Sequence, residues 1–269
     1  SVSDAVIFAG IDYEVDSTLL SPGFPENDGV FAFRSGSEIQ DNTEARGKAW
    51  KSLKWTPKEG LKIADLMRSV DKEVVNYEGS EATEEALKSF GDRDKVSPAI
   101  LHIATHGFFF PDPSTKEIGQ NAGAGFQSCE HSMIRSGLVM AGGNYAWLFG
   151  TPAKQDMEDG ILTAFEISQL DLSNTELVVL SACETGLGDI QGIEGVYGLQ
   201  RAFRIAGAKD LIMSLWQGPD RETMDFMTTF YRNWLEEKMS IPDAFRKTQR
   251  EMRDRFYNPY SWAGFVLVD

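Results

Sequence analysis

The stretch that decides the fold is Glu176-Leu177-Val178-Val179-Leu180-Ser181, and it runs directly into Ala182-Cys183-Glu184-Thr185-Gly186. The first part is an unbroken apolar run between polar residues, which is typical of a strand that is buried on both faces. The second part places a cysteine just beyond the end of that strand. Because ligands bind beyond the carboxyl ends of parallel strands, we expect the chemistry of this protein at Cys183.

A second strand of the same character lies upstream and ends just before a histidine. It covers residues 100–104 and is followed by Thr105-His106-Gly107. Neighbouring strands lie about 4.8 Å apart, so adjacent strands would bring His106 and Cys183 to one edge of a sheet. A free thiol is only a few per cent ionised at pH 7, and a nearby imidazole can remove its proton. The pattern predicts a cysteine nucleophile with a histidine base, and the N–H groups of Gly107 and Cys183 as an oxyanion hole.

The rest of the chain alternates strands with helices. Further strands are predicted at residues 6–9, 74–77, 211–215 and 264–268, and helices at 81–90, 162–169, 194–206, 220–237 and 242–255. Another helix is predicted to begin at Thr56 as its N-cap, with Pro57 in the first turn. The predicted fold class is therefore α/β: a mostly parallel six-stranded sheet with helices on both faces and one antiparallel edge strand. Residues 107–160 are rich in turn-forming residues and contain one strand-like piece at 136–140, and loops of this length are uncommon unless they are functional or disordered.

Composition excludes several classes of protein. The chain has 269 residues, of which 42% are hydrophobic, and 26 basic and 41 acidic residues give a net charge of −15. This sign opposes direct binding to nucleic acid or to an anionic membrane, and no apolar run is long enough to span a bilayer. Two cysteines cannot form a disulfide scaffold, so we expect a reducing, cytoplasmic location. The first residues include no initiator Met, which favours one domain over residues 1–269 within a longer protein.

Together these motifs resemble the CHAT domain, a caspase-like and separase-related family that is often joined to tetratricopeptide (TPR) repeats. The resemblance is good over residues 75–269 and weak over 1–74, and it implies that residues 107–160 are a variable insert of the family. It is carried by the segments around His106 and Cys183 and by four others: Arg135-Ser136-Gly137-Leu138-Val139-Met140-Ala141-Gly142, Gly195-Val196-Tyr197-Gly198-Leu199-Gln200-Arg201-Ala202-Phe203, Ser214-Leu215-Trp216, and Pro259-Tyr260-Ser261-Trp262-Ala263-Gly264-Phe265.

The resemblance implies a caspase-like fold and a cysteine endopeptidase. By this likeness His106 is the general base, Cys183 forms the thioester, and no metal or organic cofactor is required. The implied substrate is one partner protein in bacterial signalling or defence, and an upstream TPR or sensor domain or another partner would activate the enzyme. One departure stands out: the family's Trp is usually followed by a Pro-Val-Asp/Ser-Asp type of run, whereas this chain has Trp216-Gln217-Gly218-Pro219-Asp220.

Related peptidases cut after basic residues by means of an acidic pocket. Asp220 is the first candidate for that carboxylate, with Glu184 and Asp189 as rivals and Trp216 as a neighbour of the cleft. Asp220 is equally a candidate N-cap for the helix that follows it. Four glycines within 184–195 favour a loop that becomes ordered only on activation or substrate binding.

Other interpretations of these residues stay open at this point. His102 lies inside a strand and is interpreted as structural, and Cys129 with His131 offers too few ligands for a metal site. An intact domain that binds partners without cutting them is the main alternative to a peptidase. Another thiol reaction such as amide transfer has no supporting signature. Alkylation of Cys183 distinguishes an activated thiol from an ordinary buried one.

Overall fold

A computed structural model describes residues 3–15, 49–92, 96–110, 133–181, 193–216 and 218–269, with the backbone alone for 193–196. Six of the strands in these ranges form one sheet. They are β1 (Ala5–Ile11), β2 (Val74–Gly79), β3 (Ile100–Ile103), β7 (Leu177–Leu180), β8 (Asp210–Ser214) and β9 (Phe265–Val268). Their order across the sheet is β2-β1-β3-β7-β8-β9. All neighbours are parallel except β8 and β9, so the predicted six-stranded sheet with an antiparallel edge strand is confirmed.

Register places the two motif-bearing strands side by side. β3 and β7 pair directly, with Ile103 opposite Leu180, and the Ser181 N–H donates to the Ile103 carbonyl at 3.1 Å. His106 and Cys183 each come three residues after this matched pair. The expectation that the two strands are neighbours is therefore confirmed.

Helices cover both faces of the sheet, as predicted. Alternate residues of each strand face opposite sides, so the core divides into two clusters. One cluster joins β-sheet residues such as Ile7 and Val179 to α1 (Thr56–Ser69), α6 (Asp220–Tyr231) and α7 (Ile241–Arg255). The other cluster joins the opposite face to α2 (Glu84–Phe90), α3 (Gly143–Phe149), α4 (Ala164–Ile167) and α5 (Ile193–Ile205). Within the described ranges, no helix combines the length and apolarity needed to cross a membrane.

Residues 107–160 contain more regular structure than predicted. Their described part forms most of a small antiparallel sheet in which β5 (Ser136–Val139) pairs with β4 (Gly107–Phe109) and β6 (Ile161–Thr163). β4 and β6 have three residues each, which is too short for a hydrophobic period to reveal them. β4 begins directly after His106, so this small sheet fixes the chain at the histidine.

The start of α1 differs from the prediction. Trp55, not Thr56, is the N-cap, and Thr56 is the first helical residue. The Thr56 hydroxyl accepts the Gly10 N–H at 3.2 Å and donates to the Leu53 carbonyl at 3.0 Å. The predicted cap was wrong because a tertiary contact with the end of β1 uses this hydroxyl.

Candidate active site

The candidate site lies at the carboxyl ends of β3, β7 and β8. His106 is almost fully buried there. Three of the predicted site residues, Cys183, Glu184 and Asp189, fall outside the described residues, as do Cys129, His131 and most of the glycine-rich loop 184–195. The described residues form the histidine side of the site and the cleft beside it.

A backbone carbonyl holds the imidazole of His106. His106 Nε2 lies 2.7 Å from the Lys51 carbonyl oxygen. Because a carbonyl only accepts hydrogen bonds, Nε2 carries the proton and Nδ1 is the basic atom of the neutral ring. The rings of Tyr13 and Trp50 each lie 5.0 Å from the imidazole, centroid to centroid. The side chain is thus prepared to accept a proton at Nδ1 only.

Hydrogen bonds to the small sheet hold the backbone around His106. Thr105 Oγ1 donates to the Val139 carbonyl, and the Tyr13 hydroxyl lies 3.0 Å from the same Oγ1. The Val139 N–H in turn donates to the His106 carbonyl at 2.9 Å. Residue pairs that face each other in antiparallel strands alternate between hydrogen-bonded and non-hydrogen-bonded. His106 and Val139 form a bonded pair, so the next pair, Gly107 and Leu138, is not bonded. The Gly107 N–H is therefore directed away from β5. That direction suits an oxyanion-hole donor.

A cleft of about 480 Å³ opens beside His106. Its lining is Lys51, Ser52, Leu53, Lys54, His106, Gly218, Pro219, Asp220 and Tyr260. The lining carries both signs of charge, with two lysines and one carboxylate. Segment 50–55 forms one wall of this cleft. The Lys51 carbonyl within it leaves no signal in a sequence, because every residue has a carbonyl.

Asp220 reaches the cleft from the first residue of α6. The N-cap of that helix is Pro219, so the N-cap interpretation of Asp220 was wrong. Its carboxylate instead accepts hydrogen bonds from the backbone N–H groups of Lys54 and Trp55. Burial raises the pKa of Asp220, with the charge of Glu59 adding to the rise, and the two backbone donors partly oppose it.

Comparison with known proteins agrees with this architecture. The family model of the CHAT domain matches residues 16–269. This chain belongs to the CHAT domain family. Tetratricopeptide repeat protein 28 of Mus musculus is 34% identical over 111 residues, and its Homo sapiens counterpart is 31% identical over 115 residues. Those matches cover 40% and 42% of this chain and about 4% of each relative's length.

A solved structure supports the fold of this CHAT domain. The Arg-specific cysteine proteinase gingipain R matches with a TM-score of 0.50 and 11% sequence identity. The match covers 98% of this chain and 45% of the gingipain chain. The caspase-like α/β fold implied by the motifs is therefore confirmed.

Trp216 of the CHAT domain packs beside the cleft. Its ring stacks on Tyr260 with centroids 5.9 Å apart, and its Nε1 donates to the Tyr260 carbonyl at 3.0 Å. Gly264 lies so close that a Cβ there would be 2.8 Å from the indole. Tyr260, and not Trp216, reaches the cleft lining, so Trp216 acts on the cleft through its neighbour.

His102 lies within β3, on the face of the sheet that α1 and α6 cover, and is fully buried. Its Nε2 is 3.0 Å from Glu59 Oε1, and its Nδ1 is 3.2 Å from the Tyr231 hydroxyl. Burial, aided by the charge of Glu59, raises the pKa of Tyr231. These contacts join β3 to α1 and α6 and fit the structural interpretation of this histidine.

Three carboxylates with metal-like spacing surround a lysine. Glu84, Glu158 and Glu166 are close enough together to hold an ion. Lys88 Nζ lies 2.6, 3.0 and 2.9 Å from their respective oxygens, so an ammonium already occupies the centre of the group. Burial raises the pKa of Glu84 to about 8. We assign this cluster a structural role between α2 and α4.

Proposed function

We propose that this CHAT domain is a cysteine endopeptidase that cuts a partner protein after a basic residue. The observation that carries the proposal is the placement of His106. It follows β3 at the same offset as Cys183 follows the adjacent β7, and the Lys51 carbonyl leaves Nδ1 as its basic atom. The site would need neither metal nor organic cofactor, because a thiol and an imidazole suffice for acyl transfer.

The proposed reaction has two halves. His106 Nδ1 takes the proton of the Cys183 thiol, and the thiolate attacks the scissile carbonyl carbon. The N–H groups of Gly107 and Cys183 bind the oxyanion, which then collapses as the C–N bond breaks and His106 gives its proton to the leaving amine. Water next loses a proton to His106 and attacks the thioester, which releases the new carboxylate and restores the thiol.

Asp220 is our first choice for recognition of the basic residue. It lines the cleft with His106, and its two carboxylate oxygens offer about four acceptor sites, of which backbone N–H groups use two. The remaining capacity suits the fork of an arginine guanidinium. Glu184 and Asp189 are the other candidates, and Tyr260, which stacks on Trp216, would form a wall of the cleft.

The wider setting forms part of the same proposal. We take residues 1–269 as one domain of a longer, cytoplasmic protein, in which an upstream TPR or sensor region or a bound partner controls activity. The two cysteines and the TPR-named relatives support this setting. The role in bacterial signalling or defence follows from the family likeness, and no direct contact with nucleic acid or membrane is proposed.

A fluorogenic peptide panel that varies the residue before the cut tests the proposal. Wild type, Cys183→Ala and Asp220→Asn would be compared, because the asparagine keeps the size of the aspartate and removes its charge. We expect cleavage after Arg or Lys that disappears in Cys183→Ala and weakens in Asp220→Asn. Silence of the wild type, together with slow alkylation of Cys183 near neutral pH, would instead identify a non-cleaving interaction module.

A further inference from the structure

Asn144 holds the segment that orients His106. It is the second residue of α3 and is 1% exposed. Its Oδ1 accepts the Trp50 N–H at 2.8 Å, and its Nδ2 donates to the Trp50 carbonyl at 3.0 Å and to Glu14 Oε1 at 3.1 Å. One buried amide therefore uses its acceptor and both donors, and two of these three bonds clamp the backbone of a single residue.

That residue directly precedes the carbonyl that accepts from His106. Lys51 follows Trp50, and its carbonyl receives the Nε2–H. The Trp50 ring lies between His106, at 5.0 Å, and Trp147, at 4.9 Å, and Trp147 belongs to the same helix as Asn144. Helix α3 thus holds Trp50 by its backbone and by its ring.

Other supports of segment 50–55 lie at its far end. Asp220 accepts the N–H groups of Lys54 and Trp55, and residues 50–53 have neither helical nor strand structure. Because a backbone carbonyl in an irregular segment takes its direction from the bonds of its neighbours, the clamp on Trp50 controls where the Lys51 oxygen points.

We infer that Asn144 is a positioning residue that keeps the proton of neutral His106 on Nε2 by holding the Trp50 and Lys51 backbone. This inference rests on the proposed function, in which Nδ1 must be free of a proton to act on the thiol. Asn144 does not touch the reacting atoms. When the clamp is lost, the Lys51 carbonyl leaves its place and the imidazole proton is no longer confined to one nitrogen.

The test uses Asn144→Asp and Asn144→Ala in the full chain. Aspartate keeps the size and the acceptor for the Trp50 N–H, but it replaces both donors with an oxygen facing the Trp50 carbonyl and Glu14. Asn233→Asp is the matched control, since Asn233 is equally buried and its Nδ2 donates to Thr248 Oγ1 at 3.1 Å on the other face of the sheet. All three variants should lose stability, so stability alone decides nothing.

The first readout is the ¹⁵N spectrum of histidine-labelled protein near pH 7.5. The chain has three histidines, and His106→Gln assigns the signals of His106. We expect wild type and Asn233→Asp to show a protonated Nε2 and an unprotonated Nδ1, and both Asn144 variants to show averaged nitrogen shifts. Unchanged His106 shifts in Asn144→Asp and Asn144→Ala would overturn the inference.

The second readout is the kinetics of peptide cleavage, with Cys183 alkylation measured on the same proteins. Misplacement of a catalytic group by about 1 Å costs up to about 100-fold in rate, so we expect the Asn144 variants to lose about 10- to 100-fold in kcat, with KM little changed. If the Asn144 variants lose no more kcat than Asn233→Asp does, the inference is also contradicted. A wild type that neither cleaves nor alkylates, with its His106 spectrum still sensitive to Asn144, would reject the proposed function and retain the positioning role.

Discussion

At His106, the group that orients the imidazole is the Lys51 carbonyl, 55 residues upstream, where many catalytic triads use a side-chain carboxylate. A carbonyl has no charge, so it stabilises the imidazolium less than a carboxylate would. It selects the tautomer equally well, because it can only accept. The histidine itself was predictable from its place after a strand, whereas its partner was not, since every residue has a carbonyl.

Gly137 shows a residue-scale constraint in the small sheet. A Cβ there would lie 2.4 Å from the Leu162 carbonyl oxygen and 2.8 Å from the Phe108 ring. We expect Gly137→Ala to lower the free energy of unfolding by about 1–3 kcal/mol, because the backbone of β5 must shift. Urea denaturation of Gly137→Ala and of the control Gly218→Ala measures this difference. Gly218 is a suitable control because the nearest atom to a Cβ there is Thr223 Oγ1, at 3.2 Å. An equal loss of unfolding free energy in both variants would contradict the prediction.

At the scale of elements, apolar runs predicted the strands of the main sheet to within a residue or two. They succeeded best for β1, β3, β7 and β8, because strands covered on both faces are almost wholly apolar. The same rule missed β4 and β6, whose three residues pair through backbone bonds that leave no pattern. The start of α1 was misplaced because Thr56 bonds to Gly10 of another element.

The cluster between α2 and α4 carries an element-scale prediction about pH. Burial raises the pKa of Glu84 to about 8 from an ordinary value of 4.5, while Lys88 remains beside it. Between about pH 4.5 and pH 8, Glu84 therefore holds its proton in the folded protein and loses it in the unfolded chain. The stabilisation is therefore complete below about pH 4.5 and is lost as the pH rises toward 8.

We therefore expect Glu84→Gln, which cannot ionise, to remove part of this fall in stability. The difference in slope between wild type and variant should be at most about 1.4 kcal/mol per pH unit. Urea unfolding at pH values from 5 to 8.5 measures it, with the exposed Glu81→Gln as the control. If the free energy of unfolding falls equally with pH in wild type and in Glu84→Gln, Glu84 is not the cause of the fall.

At the scale of the whole molecule, the net charge of −15 bears on how a basic substrate arrives. A field of this sign attracts cationic segments over distances that salt shortens, to about 8 Å at 0.15 M. If the proposed peptidase activity holds, kcat/KM for an arginine peptide should fall several-fold between about 0.03 and 0.3 M salt.

The control for this salt effect is the same peptide with its flanking residues made acidic, which should show a weaker or opposite dependence. Cleavage would be followed at a fixed pH and with a non-binding salt. Equal salt dependence for both peptides would show that the overall field does not steer the substrate.

The sequence by itself determined the order of strands and helices, the sheet with its antiparallel edge, the family, and the two residues proposed for catalysis. Long apolar runs and the polar residues that end them are local signals, so each can be interpreted where it stands. Only the tertiary structure decided that Lys51 orients His106, that Asn144 holds Trp50, and that Asp220 turns from its helix to the cleft. These contacts join backbone groups of an irregular segment to residues 55 to more than 160 positions away, and backbone groups are the same whichever residue carries them.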